Sequence, residues 1–243
     1  VAQKTSGLVG SVTGVLFPLA SSVSSLGEKE RLGVIYKRVM RNITLLAAAC
    51  TMAIAVFSYQ ILLYWLGKDF ADKGAGILVI LAATYFLLAL LGPVINILMG
   101  LNKVRFLAAV SSFMAALNIV LLIILLPSLE ILGAAWAYLG TALLVPFIFW
   151  WAEKNYLGLT EQFKYYRVLY GKILVTSASF FIIIKFFVVP YVRNLTELII
   201  VGPLTVFFYL VIYKILGFVE KEDWELFVLF LEQIKVRLKI KKA

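Results

Sequence analysis

Seven apolar runs, each of about 20 residues or slightly more, restrict most strongly what this chain can fold into. Runs of that length cross a bilayer as helices, because a helix satisfies its own backbone hydrogen bonds. Of all residues 63% are hydrophobic and 15% charged, against about half and a quarter in soluble domains. We predict an all-α, polytopic transmembrane helix bundle with spans at 6–26, 42–66, 75–99, 106–127, 130–152, 171–190 and 195–217.

Lysine and arginine alternate between the loops in a way that predicts the orientation of the spans. The loops after spans one, three, five and seven are rich in them, whereas the intervening loops contain only Lys68, Lys73 and Arg193. By the positive-inside rule, the basic loops and the C-terminus lie in the cytoplasm and the N-terminus lies outside. We therefore expect a multi-pass protein of the cell membrane. The net charge of +10 reflects this loop bias, and we expect no nucleic-acid partner.

Two basic segments outside the spans have apolar residues at helical spacing. Segment 27–41 is interpreted either as a helix lying on the membrane surface or as a helical extension of the next span. The tail at 218–243 begins with acidic residues, continues with one apolar stripe and ends in lysines, which predicts an amphipathic cytoplasmic helix. Both segments are expected to contact the head groups of the lipid bilayer.

The residues that most enzymes and ion relays need are absent or lie outside the spans. The chain has no histidine, and its single cysteine lies in an apolar run, so we expect no catalytic residues, no metal site and no cofactor. We assign all thirteen acidic residues to loops or to the tail, and none to a span. Proton and sodium relays usually rely on acidic residues within the membrane, which argues against such a relay in this chain.

The first span is unusually polar for a helix that faces lipid. Ser11, Thr13, Ser21 and Ser22 lie on either side of Pro18, which removes a backbone hydrogen bond and permits a bend. We interpret this span as lining a water-filled cavity or a seam between two lobes. Ordinary packing within the bundle, with hydroxyls bonded to neighbouring helices, is the alternative.

Several short motifs, in their order and spacing, resemble the polysaccharide flippases of the multidrug/oligosaccharidyl-lipid/polysaccharide exporter superfamily. They are FPLAS at 17–21, WLGKDF at 65–70, LNIV at 117–120, ILGAA at 131–135 and EKEDWEL at 220–226. The resemblance implies the C-terminal lobe of a fourteen-helix, two-lobe transporter, followed by two extra helices. On this interpretation the missing N-terminal lobe of the same chain is a partner of these helices.

The resemblance also divides the chain into three parts. Residues 1–152 would form the transmembrane helices of the lobe, without its first helix. Residues 153–217 would form the two additional terminal helices, and 218–243 the basic cytoplasmic tail.

The function implied by the resemblance is movement of a polyprenyl-diphosphate-linked glycan from the inner to the outer leaflet by alternating access. Such a glycan cannot cross about 30 Å of hydrocarbon unaided, so polar and cationic groups must replace its hydration. Basic residues at the cytoplasmic mouth would attract the diphosphate, although loop bias alone also explains them. Candidates for the substrate path are Ser11, Thr13, Ser21, Ser22, Arg38, Arg41, Asn96, Lys103 and Arg105.

Other functions share the same topology. A multidrug or cation exporter of the same superfamily is one alternative, although such proteins commonly use an intramembrane carboxylate. A membrane-embedded glycan-processing enzyme or a scaffold of an export complex belongs to a different class. The outer loops are short and hold one acidic pair, Asp69 and Asp72, which argues against the enzyme.

Overall fold

A computed structural model describes residues 29–159 and 162–218, together with Gln3. The described residues are almost entirely helical and contain no strand, which confirms the prediction of an all-α bundle. A π-helical turn, Glu153–Leu157, follows the helix that ends at Ala152, and a short 3-10 turn, Val189–Tyr191, follows the helix that ends at Phe187. The helices are α1 Lys29–Val56, α2 Ser58–Leu66, α3 Lys68–Gly100, α4 Val104–Ala142, α5 Val145–Ala152, α6 Gln162–Phe187 and α7 Leu195–Ile215.

Five helical stretches are long and apolar enough to cross a membrane, judged by length and composition. They are Leu32–Val56, Lys68–Gly100, Val104–Leu157, Tyr166–Tyr191 and Leu195–Ile215. Together they make the chain a multi-pass membrane protein. The predicted first span at 6–26 and the predicted tail beyond residue 218 lie outside the described residues.

The longest of these stretches contains the two spans predicted at 106–127 and 130–152. Glu130 has non-helical backbone angles (φ 51°, ψ −133°), and there α4 reverses its direction. The side chain of Asn118 donates to Thr141 Oγ1 at 3.2 Å, although the two residues are 23 positions apart. We call this antiparallel pair, with arms 104–129 and 131–142, the hairpin. The prediction placed its turn at Ser128 and Leu129, within two residues of the turn in the structure.

Helix α1 lies at the centre of the bundle and packs against α3, α6 and α7. Its buried face includes Leu32, Tyr36 and Met40, which recur every four residues along one side of the helix. The described part of the basic segment, residues 29–41, is the first part of α1 and continues directly into the span. Its apolar stripe is buried against protein, whereas the arms of the hairpin are largely exposed.

The helices run alternately between two ends of the bundle. At one end, Lys103 lies 5.4 Å from the ring of Tyr156, and Lys172 lies 5.9 Å from the ring of Phe218. We call this the basic end, because the loops predicted to be cytoplasmic meet there. At the opposite end, the Tyr64 hydroxyl donates to the Val192 carbonyl at 2.7 Å and ties α2 to the segment before α7.

Candidate functional site

A cavity of about 1190 Å³ lies between α1, α3, α5 and α6. Its walls are mostly apolar, and aromatic rings form much of them. Among the rings are those of Phe86, Phe147, Phe149, Trp150 and Phe181. A volume of this size exceeds the roughly 300–1,000 Å³ of a typical small-molecule pocket.

The cavity is open toward the side of the bundle. Phe147 and Leu174 both line it and are 61% and 69% exposed, so they form a rim between α5 and α6. Leu90 and Phe149 line the opposite, inner wall and are almost fully buried. Both rim residues belong to helical stretches that are long and apolar enough to cross a membrane.

A few polar groups interrupt the apolar walls, and most of them come from α6. The side chains of Arg167 and Tyr170 line the cavity toward the basic end. Ser177 lines it farther along α6, where it is hydrogen-bonded to Tyr209, which in turn accepts a hydrogen bond from Tyr213. Both tyrosines are fully buried, so this chain of hydroxyls fixes α7 against the back of the cavity.

Glu153 is a buried carboxyl group next to the cavity, at the basic end. It is 1% exposed, and its Oε1 accepts a hydrogen bond from the Tyr166 hydroxyl at 2.7 Å. Its Oε2 has no hydrogen-bond partner, and neither has the hydroxyl of the fully buried Tyr36. The Tyr36 hydroxyl faces the carboxyl group within hydrogen-bonding reach, although not with the geometry of an ordinary hydrogen bond.

The local backbone explains how Glu153 comes to be buried. It is the first residue of the π-helical turn, which ends at Gly158 with a positive φ of 68°. The Leu159 amide closes the turn by donating to the Glu153 carbonyl at 3.2 Å. This wider turn rotates the Glu153 side chain toward α1 and α6, where the rings of Phe149 and Tyr166 pack edge to face at 5.5 Å.

The structure places the described sequence candidates outside the lining of the cavity. Asn96 donates to the Gly92 carbonyl of its own helix at 3.0 Å. Arg38 and Arg41 are half-buried on α1 and interact with neighbouring groups. Lys103 and Arg105 are exposed beside the start of the hairpin. The remaining candidates lie outside the described residues and are Ser11, Thr13, Ser21 and Ser22.

Sequence reasoning missed three polar residues of the site. The sequence predicts a cytoplasmic loop for Glu153 and Arg167, yet Glu153 is buried and Arg167 lines the cavity. Ser177 lies within the span predicted at 171–190 and is not among the sequence candidates. No local signal marks Glu153, because the tyrosines around it come from α1 and α6 and meet it only after folding.

Comparisons with protein-family models, with curated proteins and with solved structures found no match for this chain.

Proposed function

We propose that this chain is part of a flippase that moves a polyprenyl-diphosphate-linked glycan from the inner to the outer leaflet. The observation that carries the proposal is the lateral cavity, which opens between α5 and α6 at Phe147 and Leu174. A cargo that remains partly in the bilayer needs an entrance on the side of the bundle, whereas a water-soluble cargo enters from an end.

The walls of the cavity suit an apolar chain. A polyprenyl chain gains little hydrophobic free energy by leaving lipid for protein, because both surroundings are apolar. Its attraction to the cavity must come from dispersion contacts with closely packed walls, which are individually weak and collectively large. The rings of Phe86, Phe149 and Phe181 supply such walls.

The basic end suits a diphosphate. Arg167 lines the cavity on that side, and a guanidinium can donate two parallel hydrogen bonds to phosphate oxygens. Lys103, Arg105, Arg38 and Arg41 belong to the same end and would raise the local concentration of an anionic head group. On the expected orientation this end faces the cytoplasm, where the glycan is loaded.

The test is transport in lipid vesicles that contain the full chain. The probe is a polyprenyl diphosphate bearing a short fluorescent glycan, and its transfer is followed as loss of fluorescence to a quencher that cannot cross the membrane. We expect Ala178→Trp, which fills the cavity, to slow transfer at least tenfold. Val175→Trp is the matched control, because Val175 is exposed on the same helix outside the cavity.

Two results would contradict the proposal. One is transfer no faster with the full chain than in vesicles without protein. The other is equal slowing by Ala178→Trp and Val175→Trp, because a general disturbance of α6 would then explain the effect.

A second candidate is a multidrug or cation exporter, and Glu153 favours it. Such exporters commonly use a buried carboxylate, and the aromatic walls of the cavity could attract an organic cation through their π faces. A fluorescent organic cation, tested in the same vesicles, separates the two functions. Transport of the cation without transfer of the glycan lipid would favour the exporter.

A further inference from the structure

The residues of α6 that line the cavity form one stripe along the helix, which we call the α6 stripe. They recur every three or four positions between Arg167 and Phe181, as one face of a helix requires. One turn beyond Phe181, the next position of this face is Lys185. Its ammonium group lies 5.6 Å from the centre of the Phe181 ring. The α6 stripe therefore begins with one cation, Arg167, and is continued by a second.

Arg167 and Lys185 lie on the same face of α6, close to its opposite ends. Lys185 follows Arg167 by 18 positions, which make five turns of an α-helix at about 3.6 residues per turn. At a rise of about 1.5 Å per residue, the two residues are about 27 Å apart along the helix. The hydrocarbon core of a bilayer is about 30 Å thick. The two cations therefore lie near opposite borders of the hydrocarbon, and the wall of the cavity connects them.

Lys185 is not neutralised by a carboxylate of the described residues. Its ammonium contacts the ring of Phe181 and forms no ion pair within 29–159 and 162–218. On the segment after α6, Glu197 already accepts hydrogen bonds from the Arg193 amide and from the Asn194 side chain. A lysine near the end of a span can extend its ammonium to the head groups, which explains how its charge is tolerated. Any face of the helix would serve that purpose, so tolerance alone does not explain why Lys185 continues the α6 stripe.

We propose that Lys185 is the phosphate contact of the cargo at the end of the path opposite Arg167. The diphosphate binds at Arg167, moves along the α6 stripe and is received by the Lys185 ammonium, while the apolar chain remains beside the helix. The two side chains suit different steps. A guanidinium fixes a diphosphate through paired hydrogen bonds, whereas an ammonium on a flexible stem fixes no single orientation and suits release. The proposal rests on the flippase function and assigns the release side of its path.

The first test is the transfer assay with the full chain in vesicles of phosphatidylcholine. Lys185→Gln should slow transfer of the polyprenyl-diphosphate probe about tenfold, which is the loss expected for one hydrogen bond to a charged group. Lys185→Arg keeps the charge and should stay within about threefold of the wild type. Lys172→Gln is the matched control. Lys172 also lies on α6, 5.9 Å from the ring of Phe218, but it does not line the cavity, so its replacement should leave the rate nearly unchanged.

The second test locates the diphosphate in the unmodified chain. A probe with a photoreactive group beside the diphosphate should form crosslinks within one turn of Lys185 and within one turn of Arg167, identified by mass spectrometry. A probe in which an uncharged linker replaces the diphosphate should lose the crosslinks near both cations. A purely structural role of Lys185 would leave the crosslinks of the two probes alike.

Several outcomes would overturn the proposal and leave the flippase function intact. They are transfer by Lys185→Gln at the rate of the wild type, equal slowing by Lys172→Gln, and crosslinks near Arg167 alone. Slowing by Lys185→Gln that appears only after phosphatidylglycerol is added would also overturn it, in favour of an ordinary anionic phospholipid at Lys185. Failure of the flippase function gives a different result, because the wild type would then transfer the probe no faster than vesicles without protein. That result would remove the basis of both proposals.

Discussion

Replacing Gly133 by alanine tests the close approach of the two arms of the hairpin. A Cβ atom at this position would overlap the carbonyl oxygen of Leu125 and lie 2.6 Å from the carbonyl carbon. These are backbone atoms, so no flexible side chain can move away and the arms must separate. Forcing extra volume into a close-packed site costs typically about 1–3 kcal/mol.

The control for this variant is Gly171→Ala, on α6. A Cβ there meets nothing within 4 Å, so only the helix propensity changes. Alanine is favoured over glycine inside a helix by about 0.5–1 kcal/mol, which predicts equal or greater stability.

Thermal unfolding in detergent, followed by tryptophan fluorescence, measures both variants. At about 2–4 °C per kcal/mol, Gly133→Ala should lower the midpoint by several degrees, and Gly171→Ala should not lower it. An unchanged midpoint for Gly133→Ala would refute the close contact at the turn. A fall of equal size in both variants would show that alanine is harmful for reasons unrelated to the hairpin.

Three further predictions follow from single contacts or from the orientation of the bundle. Asn194→Ala removes the side-chain acceptor that caps α7 and should lower the free energy of unfolding by about 1 kcal/mol in unfolding titrations. An unchanged free energy of unfolding would contradict the cap. Asn118→Leu removes the hydrogen bond across the hairpin and should cost only about 0.6 kcal/mol in the same assay, because such bonds in membranes are weak. In a Cys50→Ser background, an impermeant maleimide added outside intact cells should label Glu130→Cys and not Lys103→Cys; the reverse pattern would overturn the expected orientation.

The spans were predictable because their signal is local. A long run of apolar residues must be covered by lipid or by protein, because its exposure to water is unfavourable. The run from Leu117 to Leu126 is an example. The hairpin turn was predictable for a related reason, since Pro127 and a charged residue at Glu130 interrupt an otherwise continuous run. The structure moved the turn by two residues at most.

The surroundings of an amphipathic segment were harder to predict. The apolar stripe at 27–41 indicated a helix with one apolar face, but periodicity cannot say whether lipid or protein covers that face. In the structure Leu32, Tyr36 and Met40 are buried against the bundle. That outcome depends on where α3, α6 and α7 pack, and no local pattern contains this information.

The candidate site was the least predictable part. Charge alone predicts basic residues of the loops as candidates, but Arg38 and Lys103 do not line the cavity, whereas Arg167 does. The sequence predicts a loop position for Glu153, because a charged residue at the end of an apolar run is usually solvated. Its burial arises from one π-helical turn and from tyrosines on two other helices, which meet only after folding.

The turn at Glu130 also has a consequence for how the chain enters the membrane. Between Arg105 and Glu153, Glu130 is the only charged residue, so inserting the hairpin requires just one charge to pass through the hydrocarbon. The cost of one acidic or basic side chain at the bilayer centre is only about 3 kcal/mol on insertion scales. The other 46 residues between Arg105 and Glu153 are uncharged. The two arms can therefore be released into the bilayer as one unit during synthesis, with no hydrophilic segment to translocate between them.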